Sequence, residues 1–283
     1  MIVEKAGTLG FCFGVKRAIN IVEKVTRERG GIETLGPLVH NQQVLQELAG
    51  IGVRVAKGVD DIQGDTVVIS AHGISQQLET EIQARHIEMI DTTCPFVRRL
   101  QLAARKLAES GFFIVIYGAS DHTEVKATLG WANNRGIAAL DAGLITKLDN
   151  LPRRLGILSQ TTRVPAHFTE FVKNVIDSTF TRDSELRVID TICHDIRKRQ
   201  ADALELANQV DLMLVIGDRN SANTNRLTEL CATATGTHLV ETAADIQPSW
   251  LEGQSYIGIT AGASTSEQTI DEVIMKLESL ARV

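Results

Sequence analysis

Three of the four cysteines in this chain, Cys12, Cys94 and Cys193, occupy equivalent places in a repeated sequence pattern. Each is followed by a helix-like stretch, an apolar strand, a glycine 24 residues on and a polar side chain 28 residues on. The glycines are Gly36, Gly118 and Gly217, and the polar residues are His40, His122 and Ser221. The tetrads Asp91-Thr92-Thr93-Cys94 and Asp190-Thr191-Ile192-Cys193 also resemble each other. One thiol in each of three repeats predicts three similar lobes that bring three thiols to one place.

Apolar runs of strand length alternate with helix-like stretches, which is typical of an α/β protein with largely parallel sheets. Strands are predicted at 32–35, 53–55, 66–69, 112–117, 155–158, 212–216 and 256–260, and helices at 15–28, 41–48, 96–109 and 195–208. The spacing of the cysteines predicts αβ lobes at 14–94, 95–193 and 194–283 in a pseudo-threefold arrangement. Residues 1–13 are expected to join the third lobe by pairing with its sheet.

The composition excludes several classes of protein. A net charge of −6 argues against a general nucleic-acid-binding surface. The apolar runs are too short to span a bilayer, and the N-terminus lacks an apolar signal core, so a cytoplasmic protein without a membrane partner is expected. In that compartment, scattered cysteines favour ligands, catalytic thiols or core residues over disulfides.

The cysteine pattern predicts a metal centre. Cys12, Cys94 and Cys193 each precede a helix, whose unpaired N–H groups and partial positive charge favour the thiolate form that binds metal. Structural zinc usually requires four ligands in close pairs, which this sequence lacks. Three equivalent cysteines instead indicate an iron–sulfur cluster with one iron that has no protein ligand. Cys231, inside a helix-like stretch, is expected to be a core residue.

Polar residues follow the predicted strands, at the ends where open α/β sheets bind ligands. They provide imidazole, hydroxyl and amide donors suited to a phosphate: His40, His72, His122, Thr161, Ser221, Asn223 and Ser264. Glycine-rich phosphate loops are absent from the sequence. Glu124 is a carboxylate among neutral donors and is a candidate proton donor. These residues predict an iron–sulfur enzyme that acts on a small phosphorylated substrate.

The motifs closely resemble those of the hydroxymethylbutenyl diphosphate reductase family over essentially the whole chain. They are Gly10-Phe11-Cys12-Phe13-Gly14, Val39-His40-Asn41, Ser70-Ala71-His72-Gly73, Asp91-Thr92-Thr93-Cys94-Pro95, His122-Thr123-Glu124-Val125, Ser159-Gln160-Thr161-Thr162, Asp190-Thr191-Ile192-Cys193, Ser221-Ala222-Asn223-Thr224 and Ala261-Gly262-Ala263-Ser264-Thr265. The resemblance implies a trilobed monomer around one [4Fe–4S] cluster held by Cys12, Cys94 and Cys193.

The resemblance also implies the substrate site and the reaction. The diphosphate would be held by residues of the first and third lobes, namely His40, His72, Ser221, Asn223 and Ser264, with Ala222 in the same set. The substrate's hydroxyl end would face His122, Thr161 and Glu124, with Gln160 and Thr162 close by. The reaction would be a two-electron reductive dehydroxylation that yields isopentenyl and dimethylallyl diphosphate. Glu124 would supply a proton through Thr161 or the diphosphate, and reduced ferredoxin or flavodoxin would supply the electrons.

Four residues depart from the family's usual pattern. Ala222 replaces a serine, Thr123 and Ser266 replace prolines, and Phe13 replaces an alanine beside the first cysteine. One lost neutral hydrogen bond at Ala222 would weaken diphosphate binding by only about 0.5–1.5 kcal/mol. Two alternatives to a reductase are considered: a three-cysteine [4Fe–4S] dehydratase of the quinolinate synthase type, and a non-catalytic iron–sulfur sensor or electron carrier. Neither explains the histidine, serine, asparagine and glutamate set.

Overall fold

The computed structural model describes residues 1–148, 152–179 and 183–281. Residues 149–151 and 180–182 of the predicted second lobe, and 282–283 of the third, lie outside the described residues. The strands are β1 Ile2–Lys5, β2 Ile32–Leu35, β3 Val53–Ala56, β4 Thr66–Ile69, β5 Glu88–Asp91, β6 Phe113–Tyr117, β7 Gly136–Ala139, β8 Arg154–Ser159, β9 Glu185–Val188, β10 Leu212–Ile216, β11 Gly236–Val240 and β12 Tyr256–Ala261. The α-helices are α1 Phe13–Arg29, α2 Gln42–Gly50, α3 Gln76–Ala84, α4 Pro95–Glu109, α5 Thr123–Trp131, α6 Gly143–Thr146, α7 Pro165–Thr179, α8 His194–Ala207, α9 Ala222–Cys231 and α10 Glu267–Ala281.

In these described ranges the strands form three four-stranded sheets, and every pairing within them is parallel. The strand orders are β3-β2-β4-β5, β7-β6-β8-β9 and β11-β10-β12-β1, so the same topology occurs three times. The predicted α/β class and three-lobed fold are confirmed. In the third sheet the last place is taken by the N-terminal strand, because Ile2 to Lys5 pair with Tyr256 to Ile259, as expected.

The repeat extends to individual backbone hydrogen bonds. The glycine that follows the first strand of each sheet donates its N–H to the last carbonyl of the neighbouring edge strand. The three bonds are Gly36 to Ala56 at 2.8 Å, Gly118 to Ala139 at 3.2 Å and Gly217 to Val240 at 2.9 Å. The glycines identified by their spacing from the cysteines therefore mark equivalent points in three sheets.

Burial explains why the central strands were recognised from sequence. All five residues of β10 and all four of β4 are buried, as expected for parallel strands covered on both faces. The edge strands β7 and β11 are mostly half-buried, so their sequences carry a weaker apolar signal, and neither was predicted. Cys231 ends α9, is 0 % exposed and lies in an apolar cluster with Leu227 and Met213, which confirms the core assignment.

The described backbone divides into two compact units. One unit comprises Met1–Lys16, Val39–Gly50 and His194–Val283, and contains the sheet completed by β1. The other comprises Arg17–Leu38 and Ile51–Cys193, and contains the other two sheets. The lobe boundaries 14–94, 95–193 and 194–283 stay a prediction. Within the described ranges, none of the helices combines the length and apolar character that crossing a bilayer requires.

Candidate active site

The predicted site residues follow the first and third strands of each sheet, where the strand order reverses. His40, His122 and Ser221 each lie five residues after the last residue of β2, β6 and β10. His72, Thr162 and Ser264 each lie three residues after the last residue of β4, β8 and β12. Such switch points leave a crevice at the carboxyl ends of parallel strands, and ligands bind there. The fold therefore places all six residues at the ligand-binding edges of their sheets.

Each of the three repeated cysteines lies between an edge strand and a helix N-terminus. Cys12, Cys94 and Cys193 directly precede α1, α4 and α8. Each donates its backbone N–H to the carbonyl two residues beyond the third strand of a sheet. The acceptors are Ala263 for Cys12 at 3.0 Å, Ala71 for Cys94 at 3.0 Å and Thr161 for Cys193 at 2.9 Å. The three cysteines are thus attached to the ligand-binding edges by one repeated backbone contact.

The repeated letters before Cys94 and Cys193 have a shared structural role. The hydroxyl of Thr92 donates to the Ile69 carbonyl at 2.5 Å, and that of Thr191 donates to the Ser159 carbonyl at 2.5 Å. In both cases the acceptor is the last residue of the third strand. Asp91 accepts the Thr93 N–H at 2.8 Å, and Asp190 accepts the Ile192 N–H at 3.1 Å. The tetrads therefore fix the two cysteine loops in the same way.

Residues 6–12, which lead from β1 to α1 and are called the Cys12 loop below, are held by a different residue. Gly10 stands where the other loops have threonine, and the buried guanidinium of Arg199 donates to the Gly10 and Ala261 carbonyls, both at 2.7 Å. Burial lowers the pKa of Arg199, and the nearby Cys12 thiolate opposes that shift. Arg199 was not identified from the sequence. The available signal was its place on the apolar face of α8 with Ile196 and Ala203.

The surroundings of Cys12 suit a metal-binding thiolate. Burial raises the pKa of the Cys12 thiol, while hydrogen bonds from the N–H groups of Val15 and Gly14 and the positive charge of Arg199 lower it. These donors stabilise the anionic sulfur that binds iron. Cys231 lacks such donors, and burial raises its pKa to about 12. The donor set at Cys12 therefore fits an iron–sulfur ligand.

Among the described residues, no group of three or more His, Cys, Asp and Glu side chains could hold a single metal ion. A closed zinc site, which needs four ligands around one ion, is thus not found in this part of the chain. A cluster differs because its thiolates bind separate irons and stand farther apart. The joint action of Cys12, Cys94 and Cys193 stays a prediction.

Two hydrogen bonds join Glu124 and Thr161 in the candidate site. The Thr161 N–H donates to Glu124 Oε1, and the Thr161 hydroxyl donates to Oε2, both at 2.7 Å. Glu124 is only 2 % exposed. Burial raises its pKa, while the two bonds from Thr161 and the charge of Arg163 oppose the shift. The carboxyl group therefore keeps its proton at a higher pH than an ordinary glutamate, as a proton donor requires.

His122 caps the helix that carries Glu124. Its ring Nδ1 accepts the Glu124 N–H at 3.2 Å, so the neutral ring carries its proton on Nε2. The His72 ring lies 5.9 Å from the His122 ring, centroid to centroid, at an angle of 74°. The structure therefore brings two of the three predicted histidines together, and one of them, His122, is bonded to the backbone of Glu124.

Gln160 and Thr162 are the sequence neighbours of Thr161, and Gln160 holds a small hydrogen-bond network there. Gln160 is fully buried, and its Oε1 accepts the Ala119 N–H at 3.2 Å and Arg163 Nε at 3.1 Å. Its amide nitrogen donates to the Thr162 hydroxyl at 3.3 Å. Arg163 is 4 % exposed and was missed, because an arginine directly after a motif is normally expected on the surface. It adds a buried positive charge close to Glu124.

A second group of site residues lies in the unit that contains β1. The Ser264 hydroxyl donates to the His40 carbonyl at 3.2 Å, and the Asn41 amide donates to the Ser264 carbonyl at 2.9 Å. Asn41 also accepts the Val44 N–H at 3.2 Å, so it caps α2 in the role that His122 has for α5. Burial lowers the pKa of His40, and Asp218 opposes this. His40 is thereby favoured as a neutral hydrogen-bond donor.

Ser221, Ala222 and Asn223 form the start of α9. The Ser221 hydroxyl accepts the Thr224 N–H at 3.3 Å and caps the helix, and Ala222 is its first residue. Asn223 is 8 % exposed, and its amide nitrogen Nδ2 has no hydrogen-bond partner among the described residues. A buried donor without a partner at a helix N-terminus fits an anionic ligand.

The other departures from the family pattern all lie at helix starts. Ser266 accepts the Thr269 N–H at 3.1 Å and so caps α10, a role that proline lacks a side chain to fill. Thr123 is the exposed first residue of α5. Phe13 is the first residue of α1 and is 56 % exposed, so its ring is largely in solvent.

Comparison with known proteins agrees with these motifs. The profile of the family described as LytB protein matches residues 3–278. A protein of Dehalococcoides mccartyi (strain CBDB1) is 57 % identical over 281 residues, covering 99 % of each chain, and one of Pelobacter propionicus is 39 % identical over 278 residues, covering 98 % of each. Both are named 4-hydroxy-3-methylbut-2-enyl diphosphate reductase.

Two solved structures are also similar. The E-1-hydroxy-2-methyl-but-2-enyl-4-diphosphate reductase of Plasmodium falciparum has a TM-score of 0.91 and 26 % identity, over 97 % of this chain and 87 % of that one. A (E)-4-hydroxy-3-methyl-but-2-enyl diphosphate reductase, described as the terminal enzyme of the non-mevalonate pathway, has a TM-score of 0.71 and 37 % identity, over 99 % and 100 %. The resemblance seen in the motifs is confirmed, and the quinolinate synthase alternative is not favoured. The chain belongs to the LytB protein family.

Proposed function

We propose that this chain catalyses the reductive dehydroxylation of (E)-4-hydroxy-3-methylbut-2-enyl diphosphate to isopentenyl and dimethylallyl diphosphate. Two electrons and two protons enter, the allylic C–O bond breaks, water leaves and a C–H bond forms. The observation that carries the proposal is one residue, Thr161. Its N–H and hydroxyl bind the buried acid Glu124, and its carbonyl accepts the Cys193 N–H. A proton donor and a cluster ligand are therefore held by the same backbone segment.

The cofactor of this iron–sulfur enzyme is proposed to be one [4Fe–4S] cluster held by Cys12, Cys94 and Cys193. Support comes from their equivalent places in the fold, each before a helix and each bonded to the end of a third strand. When bound, the cluster supplies the electrons and an iron for the substrate's hydroxyl group. Reduced ferredoxin or flavodoxin is the proposed electron donor of a cytoplasmic, monomeric enzyme.

Glu124 is proposed to deliver the proton that leaves with the water. Because the Thr161 N–H keeps Oε1 as an acceptor, the carboxyl proton lies on Oε2, next to the Thr161 hydroxyl. That hydroxyl can rotate to accept this proton and donate its own onward. His122 Nε2–H offers a second donor beside it. These contacts support a catalytic role for Glu124, Thr161 and His122.

The diphosphate is proposed to bind to neutral hydrogen-bond donors. They are His40, His72, Ser221, Asn223 and Ser264, with the N-terminal backbone of α9 at Ala222. Gln160 and Thr162 are proposed to line the substrate beside Thr161. Support comes from the Asn223 amide nitrogen, which has no partner among the residues that the structure describes, and from the N-terminus of α9, because both offer N–H groups to an anionic ligand.

The proposed reaction can be tested directly. Anaerobically reconstituted protein, with dithionite and a viologen mediator, is expected to oxidise the reduced viologen when hydroxymethylbutenyl diphosphate is added, and to form both isoprenoid diphosphates. Iron and sulfide counts on the same sample verify loading, and protein without iron is the control. Fully loaded protein that leaves the substrate unchanged would contradict the proposal.

A further inference from the structure

The three cysteine loops share a second contact, and its donor differs in the third sheet. The last carbonyl of the third strand accepts a side-chain hydrogen bond in every sheet. Thr92 donates to Ile69 and Thr191 donates to Ser159, whereas Arg199 donates to Ala261. Thr92 and Thr191 lie two residues before their cysteines, and Gly10 is the residue at that place before Cys12. Arg199 therefore takes over a contact that Gly10 cannot make.

Apolar residues occupy the positions equivalent to Arg199 on the other two helices. Counted from the preceding cysteine, the equivalent residues on the other two helices are Ala18 and Leu100, both 0 % exposed. A buried guanidinium loses its hydration, so it persists only where hydrogen bonds replace the lost water. Arg199 finds them on backbone carbonyls: Gly10 and Ala261, both at 2.7 Å, and more distantly Thr8 at 3.4 Å. Two of these three carbonyls belong to the Cys12 loop.

A threonine at position 10 would not serve instead. Gly10 has a φ of +73°, in the left-handed region that β-branched side chains avoid. Neither Thr92 nor Thr191 has a positive φ. The loop that leads from β1 to Cys12 thus follows a different backbone path from the loops after β5 and β9, and it requires a donor from elsewhere.

The same face of α8 holds this loop at two further points. Asp195, four residues before Arg199, accepts the Phe13 N–H at 3.3 Å. Asp202, three residues after Arg199, accepts a hydrogen bond from the Thr8 hydroxyl. One turn and the next of a helix bring residues at this spacing onto one face. Residues 8–13 are therefore held along α8, with Arg199 at the centre.

We propose that Arg199 is a positioning residue for Cys12, and that it holds the Cys12 loop on the third sheet so that the thiolate is in place before iron binds. The inference rests on the proposed function in one respect, the assignment of Cys12 as a cluster ligand. A general role in stability would affect the sheet as a whole, whereas the proposed positioning role confines the effect of Arg199 to residues 7–14.

The first test uses the iron-free protein. In R199M, hydrogen–deuterium exchange of residues 7–14 is expected to be about tenfold faster than in wild type, which corresponds to about 1.4 kcal/mol of opening free energy. The loops that hold Cys94 and Cys193 serve as internal controls and should exchange at the wild-type rate. R105M is the matched control: Arg105 lies on α4, its side chain is 44 % exposed, and within the described part of the chain its one ion-pair partner is Glu109, four residues on.

The second test uses the reconstituted protein. A chelator is expected to remove iron from R199M about tenfold faster than from wild type or R105M, at a temperature where all three are folded. R199K retains the positive charge but not the two guanidinium nitrogens that donate to separate carbonyls. For R199K we expect an increase of about threefold in both the exchange rate and the rate of iron loss. If R199M does not fold, the R199K result decides the matter.

Two outcomes would overturn the proposal. One is wild-type exchange of residues 7–14 in both Arg199 variants. The other is faster exchange spread evenly over β10 and β12, which would assign Arg199 to general stability. Failure of the wild-type protein to take up iron and sulfide would contradict the proposed function instead, and the exchange measurement would still decide whether Arg199 positions the loop.

Discussion

Glu124 shows how a single residue acquires a function through its surroundings. A glutamate at the second position of a helix is normally solvated and ionised. Here burial raises the pKa of the carboxyl group, and Thr161 donates a hydrogen bond to each carboxyl oxygen. Arg163 opposes part of the shift. Burial therefore raises the pKa of Glu124, and the two hydrogen bonds from Thr161 and the charge of Arg163 limit that rise.

Removing the acid should remove turnover and leave the fold intact. E124Q is expected to lower kcat by about 10²–10⁴, the usual contribution of a positioned proton donor. Because the pKa of Glu124 is raised by folding, its contribution to the free energy of unfolding is present below the unfolded pKa and is lost as the pH rises through the folded pKa. Glutamine has no such loss, so E124Q should be at least as stable as wild type at neutral pH. Unchanged turnover in loaded E124Q would refute the proton-donor assignment.

The charge of Arg163 should set where activity falls as the pH rises. Activity needs protonated Glu124, so kcat should decline on the alkaline side as the pH passes the pKa of this group. Arg163 lowers that pKa, and R163M should therefore move the decline to higher pH. R163K retains the charge and is the matched control. Measuring kcat against pH for the three proteins checks this. If kcat of R163M declines at the same pH as that of wild type, Arg163 does not influence the pKa of Glu124.

Among the secondary-structure elements, helix N-termini position most of the candidate site residues. Cys12, Cys94 and Cys193 precede helices, His122 and Ser221 cap helices, and α10 is capped by Ser266. The sequence predicted the helices that follow the three cysteines, because apolar periodicity and spacing indicate them, but it gave no bounds for α5, α9 and α10. It did not predict that Asn41, rather than its neighbour His40, caps α2. That choice depends on where the chain meets Ser264, a residue more than two hundred positions away.

Two serine caps offer a test that separates stability from binding. S221A and S266A each remove a cap worth about 1 kcal/mol, so each should lower Tm by roughly 2 °C. Of these two serines, only Ser221 is proposed to bind the diphosphate. S221A should therefore raise KM about tenfold or more, in line with a lost hydrogen bond to a charged group, while S266A should keep the wild-type KM. Equal KM values in the two variants would exclude Ser221 from the substrate site.

At the scale of the whole molecule, the threefold sequence repeat predicted the three parallel sheets and the origin of the fourth strand of the third sheet. The central strands were found because parallel strands buried on both faces have continuous apolar sequences. Arg199 was not found, because its burial depends on backbone carbonyls distant in sequence, and Arg163 was not found, because its ring and charge neighbours Tyr117 and Glu124 are also distant in sequence. A sequence repeat predicts which residues occupy equivalent positions in the three sheets. It does not predict contacts that only one of the three sheets makes.

The N-terminal strand is the largest of these departures, and its removal should affect one sheet alone. β1 contributes hydrogen bonds more than core, since Ile2 is 65 % exposed and only one of its four residues is even half-buried. A chain lacking residues 2–5 should therefore still fold. Its β12 amides at 256–261 should exchange hydrogen faster, because β12 becomes an edge strand. Iron per chain should fall, because the Cys12 loop loses the strand that leads into it. The amides of β4 and β8 should exchange at the wild-type rate, and faster exchange there too would show that β1 supports the whole fold rather than the third sheet.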